Sequence, residues 1–323
     1  MNTEDHRPSS ILSFWSDKTV VDQDLTETTD HHSSSVFDLT TTNHHHHRRR
    51  QCLIVKHITR RQSETHRAFL KRVSNEYCIT SVLSHQNVVG SLDLLMENYR
   101  FCMVMNLTEM GDPLLSLIRT GSAFNSKVVK KYIRQLGQAV HYIHTLGIAH
   151  RDIRPSNLLV MPDGVLKLTG FHDAHVFQSP SQHHRLKSQG KCGELPYQSP
   201  EVLFWWDHDH TSSSSVKKKK NTCQQMSSLS HTDDDHLFYW ATALDIWSIG
   251  INLLYFIRGE IPWSVACIHH SARYSDYILH RQSSIMPPLP HSFEHFLHRI
   301  LDPDPSSRMN IEQLINDPWL MMP

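Results

Sequence analysis

Apolar residues recur with strand-like or helical spacing over most of the chain, and this spacing divides it into a short mixed part and a longer helical part. Residues 52–56 form a short apolar run that ends on Lys56, which predicts a strand. From residue 64 to residue 83 apolar positions recur near the helical period, with Glu76 beside the apolar stripe. Residues 100–105 predict a second strand. Strand, helix and strand together predict a small mixed lobe.

The longer part is predicted to be mainly helical. Asn125 or Ser126 can cap a helix whose apolar stripe ends at Ile143, with Gly147 as its C-terminal cap. Helical spacing returns toward the end of the chain, over residues 243–257, 293–300 and 311–315. The chain is therefore expected to end in a helical lobe.

A hairpin interrupts the helical part. Residues 158–160 and 165–168 are apolar and flank a turn that contains Asp163-Gly164, a strong hairpin signal. The two ends of such a ribbon are neighbours, so Asn157 and Gly170 are expected to lie side by side.

Two polar stretches have no periodicity and are predicted to be disordered. Residues 1–35 are rich in Ser, Thr, Asp and His and form a predicted tail, and residues 207–236 form a predicted surface insertion. His44–His47 and Arg48–Arg50 make a dense cationic patch. Adjacent histidines can bind a transition metal, but histidine tracts without spaced Cys or Asp seldom make a defined site, so a solvated basic turn is favoured.

Composition limits the classes of partner. The formal net charge of the chain is +0, so no global field attracts nucleic acid or an anionic membrane. The 6 cysteines contain no Cys-x-x-Cys pair, which is typical of reduced thiols in a cytosolic or nuclear protein. The longest apolar run, residues 246–257, is too short to span a bilayer.

The most informative stretch is His-Arg-Asp-Ile-Arg-Pro-Ser-Asn at residues 150–157, followed by Gly170-Phe171-His172. The first resembles the catalytic loop of eukaryotic protein kinases, and the second occupies the place of their Asp-Phe-Gly motif. The resemblance implies that Asp152 is the base that orients a substrate hydroxyl. It also implies that Arg154 neutralises phosphate and that Asn157 is a magnesium ligand.

Further motifs follow in the order of the same family over about residues 50 to 320. Lys56 resembles the strand lysine that holds the α- and β-phosphates of ATP, and Glu76 the helix glutamate that pairs with it. Glu201 resembles the buried partner of Arg308, and Asp245 stands in a stretch like the start of the central helix. Alone, Lys56 or Glu76 would be read as a surface charge and Asp245 as a helix cap, but their joint order favours the family.

The resemblance predicts an α+β, two-lobed protein kinase fold over residues 36–323. Its small lobe, with a β-sheet and one helix, would cover about residues 36–106, and its large, mainly helical lobe about residues 107–323. It implies ATP and Mg²⁺ as cofactors. It also implies a protein as substrate or partner, and another kinase is one candidate for that partner.

Finer similarities resemble the fungal Ser/Thr kinases that regulate nutrient permeases and halotolerance. They lie in Glu76-Tyr77-Cys78-Ile79, in the Gly147–His150 lead-in, in Cys192-Gly193 before Pro196-Tyr197, and in residues 301–308.

Three departures bear on activity. Gly170 replaces the aspartate that would hold magnesium, and the nearby Asp173 is out of register by three residues and is not expected to substitute. No glycine precedes Gly90, so a glycine-rich loop that would cover the phosphates is missing. Glu194 stands where such kinases usually have Ser or Thr, and we expect its charge to disfavour an ordered loop at Asp152.

These departures favour a pseudokinase or a strongly impaired enzyme that acts through its surface as a regulator or scaffold. The alternative is an active ATP-dependent Ser/Thr kinase that uses Asp152 as base. A histidine-rich protein that binds metal or nucleic acid ranks last, because it rests on low-complexity tracts alone.

Overall fold

The computed structural model describes residues 34–41, 49–62, 64–97, 100–107, 111–119, 124–179, 185–190, 192–203, 238–281 and 291–322. These residues group into two compact units, one of residues 34–73 and 90–107 and the other of residues 74–89 and 111–322. The predicted insertion at residues 207–236 lies outside the described residues. So does the predicted tail, except for its last two residues, which lie in a strand.

The smaller unit contains a four-stranded antiparallel sheet. In sheet order its strands are β1 (Ser34–Thr41), β2 (Arg49–Ile58), β4 (Arg100–Met105) and β3 (Ser91–Glu97). Strands β2 and β4 were predicted from the sequence, whereas β1 and β3 were not.

The register of β2 on β4 positions the predicted phosphate-binding lysine. Lys56 lies opposite Met103, and Ile54 lies opposite Met105. Residues directly opposite one another in neighbouring strands share a face of the sheet. Lys56 therefore lies on the same face as these apolar side chains, and it is buried with them.

Helix α1 (His66–Thr80) begins in the smaller unit, and its last two turns belong to the larger one. The helix confirms the prediction over residues 64–83, although it is two or three residues shorter at each end. Its apolar face is fixed by Phe69, which packs edge-on against Phe101 with ring centroids 5.8 Å apart.

The residues that follow α1 belong to the larger unit because they hydrogen bond to the predicted hairpin. That hairpin is formed by β7 (Leu158–Val160) and β8 (Leu166–Leu168). The amide of Val89 donates to the carbonyl of Leu168 over 2.9 Å, and the amide of Leu168 donates to the carbonyl of Asn87 over 2.8 Å. Residues 74–89 thus belong to the larger unit, and the chain returns to the smaller unit over residues 90–107.

The described part of the larger unit is mainly helical, as predicted. Its helices are α2 (Leu114–Arg119), α3 (Ser126–Thr145), α4 (Ala241–Arg258), α5 (Ala272–Leu279), α6 (His291–Ile300), α7 (Ile311–Ile315) and α8 (Pro318–Met321). Strand β5 (Asp112–Pro113) extends the β7–β8 hairpin, and β6 (Ile148–Ala149) pairs with β9 (His175–Val176). No helix of the described residues has the length and apolar character that a membrane span requires.

Two helices position the site, and the sequence predicted both. The Asn125 side chain caps α3 by accepting a hydrogen bond from the amide of Val128, and Gly147 follows the helix in the left-handed region at φ 73°. Helix α4 packs against α3. It begins at Ala241, so Asp245 lies in its second turn, near the start of the helix as predicted, and is not its cap.

The carboxylate of Glu64, just before α1, is bound by Arg72 of that helix. Arg72 Nε donates to Oε1 over 2.8 Å, and a terminal nitrogen of Arg72 donates to Oε2 over 2.9 Å. The hydrogen bonds from Arg72 lower the pKa of Glu64 from 4.5 to about 2. Because the folded pKa lies below the unfolded one, the interaction stabilises the fold above pH 4.5 and is lost as the pH falls toward 2.

We expect Glu64→Gln to lower the free energy of unfolding at neutral pH, with the gap to wild type closing as the pH falls from 4.5 toward 2. Urea unfolding of both proteins over a pH series measures this gap. Glu312→Gln, at an exposed position of α7, is the control and should give no such trend. A gap that stays constant into the acid range would contradict the assignment.

Candidate active site

The predicted catalytic loop is held to helix α4 by one buried carboxylate. Asp245 Oδ2 accepts from the amide of His150 over 2.9 Å, and Oδ1 accepts from the amide of Arg151 over 2.8 Å. His144 of α3 lies with Nε2 2.8 Å from Asp245 Oδ2. The side chain of Asp245 is fully buried. It therefore fixes the backbone of the loop just before Asp152.

Arg151 has the strained conformation that this anchoring supports. Its φ of 68° makes it the only described residue other than glycine with a positive φ. Such a conformation costs on the order of 1–3 kcal/mol and persists only where surrounding contacts impose it. The two amide bonds to Asp245 are such contacts, and Asn252 Nδ2 of α4 adds a third by donating to the Ile153 carbonyl over 3.0 Å.

Asp152, the predicted base, is buried and partly satisfied. Asn157 Nδ2 donates to its carbonyl oxygen and to Oδ2, each over 2.8 Å, and Arg154 Nε lies 3.3 Å from Oδ2. Oδ1 of Asp152 is buried without a hydrogen-bond partner. Burial raises the pKa of Asp152 to about 7, against the lowering effect of Arg154, and the charge of Asp173 adds to the rise. The structure thus brings together all three side chains predicted for this loop.

Gly170 lies directly beside Asn157, as the hairpin predicted. The amide of Thr169 donates to the carbonyl of Asn157 over 2.9 Å. Gly170 has φ 84°, and a Cβ added to it would lie 2.4 Å from Asn157 Oδ1. The position that usually carries a carboxylate is therefore occupied by backbone alone, with the Asn157 side chain packed against it.

His172 also belongs to this site, although it was not predicted from the sequence. Phe171–Asp173 forms a 3₁₀ turn that brings the His172 ring back toward the loop. Its Nε2 lies 3.5 Å from Asp152 Oδ2 and 3.8 Å from Asp173 Oδ2. Asp173 Oδ2 also accepts from the amide of Gly193 over 3.0 Å. A titratable side chain next to the Phe of this motif was the signal that could have revealed it.

The structure changes the interpretation of Glu194. Its Oε1 lies 2.5 Å from a terminal nitrogen of Arg154, and Arg154 Nε faces Asp152. We expected like-charge repulsion between Glu194 and Asp152. That expectation ignored Arg154, which lies between the two carboxylates and pairs with both, so Glu194 helps to order the segment.

Lys56 and Glu76 are both buried, Lys56 in the smaller unit and Glu76 in the larger one. Their burial contradicts the reading of either as an isolated surface charge. The predicted bridge between them stays a prediction.

The predicted pair of Glu201 and Arg308 is confirmed. Two nitrogens of Arg308 donate to the two carboxylate oxygens of Glu201, over 2.7 and 2.9 Å. Such a two-pronged contact holds residue 201, and the segment before it, against the helical core.

The sequence is similar to known proteins over most of its length. A family model described as protein kinase domain matches residues 39–217. The chain is 28% identical over 272 residues to the serine/threonine-protein kinase hal4 of Schizosaccharomyces pombe, which covers 82% of the chain and 38% of that protein. It is 22% identical over 306 residues to the nitrogen permease reactivator protein of Saccharomyces cerevisiae, covering 81% and 34% respectively.

A third relative is the probable serine/threonine-protein kinase RTK1 of Saccharomyces cerevisiae, 28% identical over 263 residues, covering 78% of the chain and 37% of that protein. The chain spans well under half the length of these relatives. The predicted similarity to fungal Ser/Thr kinases is confirmed.

Proposed function

Because the chain belongs to the protein kinase domain family and is related to Ser/Thr kinases, we propose that it is a pseudokinase that acts as a regulator or scaffold in phosphorylation signalling. Its partner in this role is a protein, either another kinase or the substrate of one. The cytoplasmic or nuclear location expected from the cysteine pattern is part of the proposal.

The observation that supports the proposal most directly is the absence of a magnesium-binding carboxylate at residue 170, which is a glycine. Magnesium in kinases is held by the carboxylate at this position together with the loop asparagine. Here residue 170 has no side chain, so Asn157 Oδ1, whose Nδ2 donates to Asp152, has no carboxylate from residue 170 to complete a pair of ligands. A lone amide oxygen without this carboxylate does not fit a magnesium ion at this position.

Nucleotide binding is the part of the family's chemistry for which residues remain. Lys56 is a buried cation on β2 and Glu76 a buried carboxylate on α1. In the family these two residues act on the α- and β-phosphates rather than at the bridging metal. We therefore propose weak, metal-independent ATP binding without efficient transfer.

One observation favours the alternative of an active Ser/Thr kinase. Asp152 is oriented by Asn157 and flanked by Arg154 in a loop whose backbone is fixed by Asp245. A base held in this way can still accept the proton of a substrate hydroxyl. This alternative requires metal support from residues other than residue 170.

Thermal unfolding with ATP tests the proposal. We expect ATP to raise the melting temperature of the full chain equally with and without Mg²⁺, because no carboxylate at residue 170 links the metal to the protein. Lys56→Met should abolish the rise, and Lys167→Met, a cation outside the predicted phosphate contacts, should leave it intact. A rise that depends on Mg²⁺ would favour the active kinase instead.

A further inference from the structure

Three side chains around the catalytic loop bring metal-ligand atoms together. Donor atoms of Asp152, His172 and Asp173 all lie within 4.8 Å of one another. The side chain of Asp152 is 3% exposed, that of His172 7% and that of Asp173 21%. The three come from two segments, the catalytic loop and the turn after Gly170, so the fold and not local sequence creates the cluster.

The spacing of these atoms suits one bound ion. His172 Nε2 lies 3.5 Å from Asp152 Oδ2 and 3.8 Å from Asp173 Oδ2. Ligand atoms at about 2.0–2.1 Å from a tetrahedral zinc ion are about 3.3 Å apart, which follows from the geometry of the tetrahedron. The two distances from His172 Nε2 are close to that value, and the donor atoms of the two aspartates lie within 4.8 Å of one another, so binding requires the two carboxylates to draw together around the ion. Three protein ligands would leave one coordination position open.

A second observation points independently to a ligand. Asp152 Oδ1 is buried and accepts no hydrogen bond in the described structure. It lies on the side of Gly193, since a Cβ on that glycine would be 2.9 Å from it, and the amide of Gly193 binds Asp173. The orphaned oxygen therefore lies next to the backbone that holds Asp173. A buried carboxylate oxygen without a partner is costly, and a cation removes that cost.

Two arginines near the cluster reduce the negative electrostatic potential that a bound cation would experience. Arg154 faces Asp152, but it also pairs with Glu194, so its charge is shared between two carboxylates. The charge of Arg151 also acts on Asp173, and its guanidinium packs over the ring of Tyr239 at 5.7 Å.

We infer that Asp152, His172 and Asp173 bind one divalent transition-metal ion, for which Zn²⁺ is the preferred probe. An imidazole with two carboxylates suits zinc, whereas magnesium prefers oxygen ligands alone. The site goes beyond the proposed function, because its occupation requires neither nucleotide nor phosphoryl transfer. An occupied site engages the carboxylate of Asp152, so metal binding and the use of Asp152 as a base exclude one another.

Calorimetric titration of the EDTA-treated full chain with Zn²⁺ tests the site. The histidine tract is a competing ligand, so His44, His45, His46 and His47 are each replaced by Asn in every protein used. We expect one zinc ion per chain, with 1 mM Mg²⁺ unable to displace it. His172→Gln and Asp173→Asn should each weaken binding by at least about 10- to 100-fold, the loss known for residues that only support a metal ligand.

The matched control is His280→Gln. His280 Nδ1 lies 2.8 Å from Asp276 Oδ1 on the surface, so it presents the same pair of groups outside the cluster. This variant should bind zinc like its parent. Melting curves in EDTA check that each variant is folded. If His172→Gln does not fold, Asp173→Asn still tests the site, because its side-chain oxygen can accept the hydrogen bond from the amide of Gly193. Absence of a tight zinc site, or equal affinity in parent, His172→Gln and Asp173→Asn, would overturn the inference.

Discussion

Replacing Arg308 by methionine is expected to lower the free energy of unfolding by about 3–5 kcal/mol, a large part of the stability of an ordinary domain. The side chain of Arg308 is fully buried and binds both carboxylate oxygens of Glu201. It also donates to the carbonyls of Ala243 and Asp302, each over 2.8 Å. Methionine fills the space but leaves the carboxylate and both carbonyls without this donor, and an uncompensated buried charge is the dominant cost.

Urea unfolding followed by tryptophan fluorescence measures the effect, because the guanidinium of Arg308 lies 5.0 Å from the ring of Trp247. Arg258→Met is the matched control, since Arg258 forms an exposed pair with Glu260 and should cost at most about 1 kcal/mol. The double variant Arg308→Met, Glu201→Met should recover part of the loss by removing the isolated charge. Equal costs for Arg308→Met and Arg258→Met would contradict the prediction.

The sequence predicted those elements whose local signals agree with one another. Helix α3 has an apolar stripe, a capping asparagine and a terminal glycine, and all three were found where expected. Strand β1 was missed because its residues are rich in serine and threonine and resemble the polar tail before them. Strand β3 was missed because Leu, Met and Glu are also good helix formers and because Leu92 and Met96 are exposed, which weakens the alternation.

The site was predictable in its members but not in all of its contacts. Motif spacing identified Asp152, Arg154 and Asn157, and the hairpin explained why Gly170 lies beside Asn157. The position of Glu194 relative to Arg154 depends on how the segment after the site folds back. The charges along the chain therefore predicted repulsion between Glu194 and Asp152, whereas in the folded protein Glu194 forms an ion pair with Arg154.

The same limit hid the neighbourhood of His172. No role was assigned to His172 from the sequence, because nothing local shows where the ring points. The 3₁₀ turn of residues 171–173 places it between two carboxylates. Gly170 thus lacks the usual metal-binding carboxylate, and the turn that follows it brings His172 and Asp173 to Asp152, where we propose that a different ion binds.

We expect the wild-type domain to show only a background of phosphoryl transfer that does not depend on Asp152. Gly170→Asp should raise Mg²⁺-dependent transfer about 10- to 10³-fold above that background. The upper figure corresponds to about 4 kcal/mol of charge stabilisation by the restored metal. The gain is limited because a Cβ at residue 170 would lie 2.4 Å from Asn157 Oδ1, so Asn157 must turn away from Asp152.

Gly170→Ala is the matched control, since it has the same positive φ and the same clash without a carboxylate. Both variants should lose about 1–2 kcal/mol of stability, the cost of a side chain in the left-handed region, and only Gly170→Asp should gain transfer. Radiolabelled ATP and a generic basic protein substrate measure the rates. Metal-dependent transfer by the wild type that Asp152→Asn abolishes would show that the domain is an active kinase and that residue 170 is not where its metal is held.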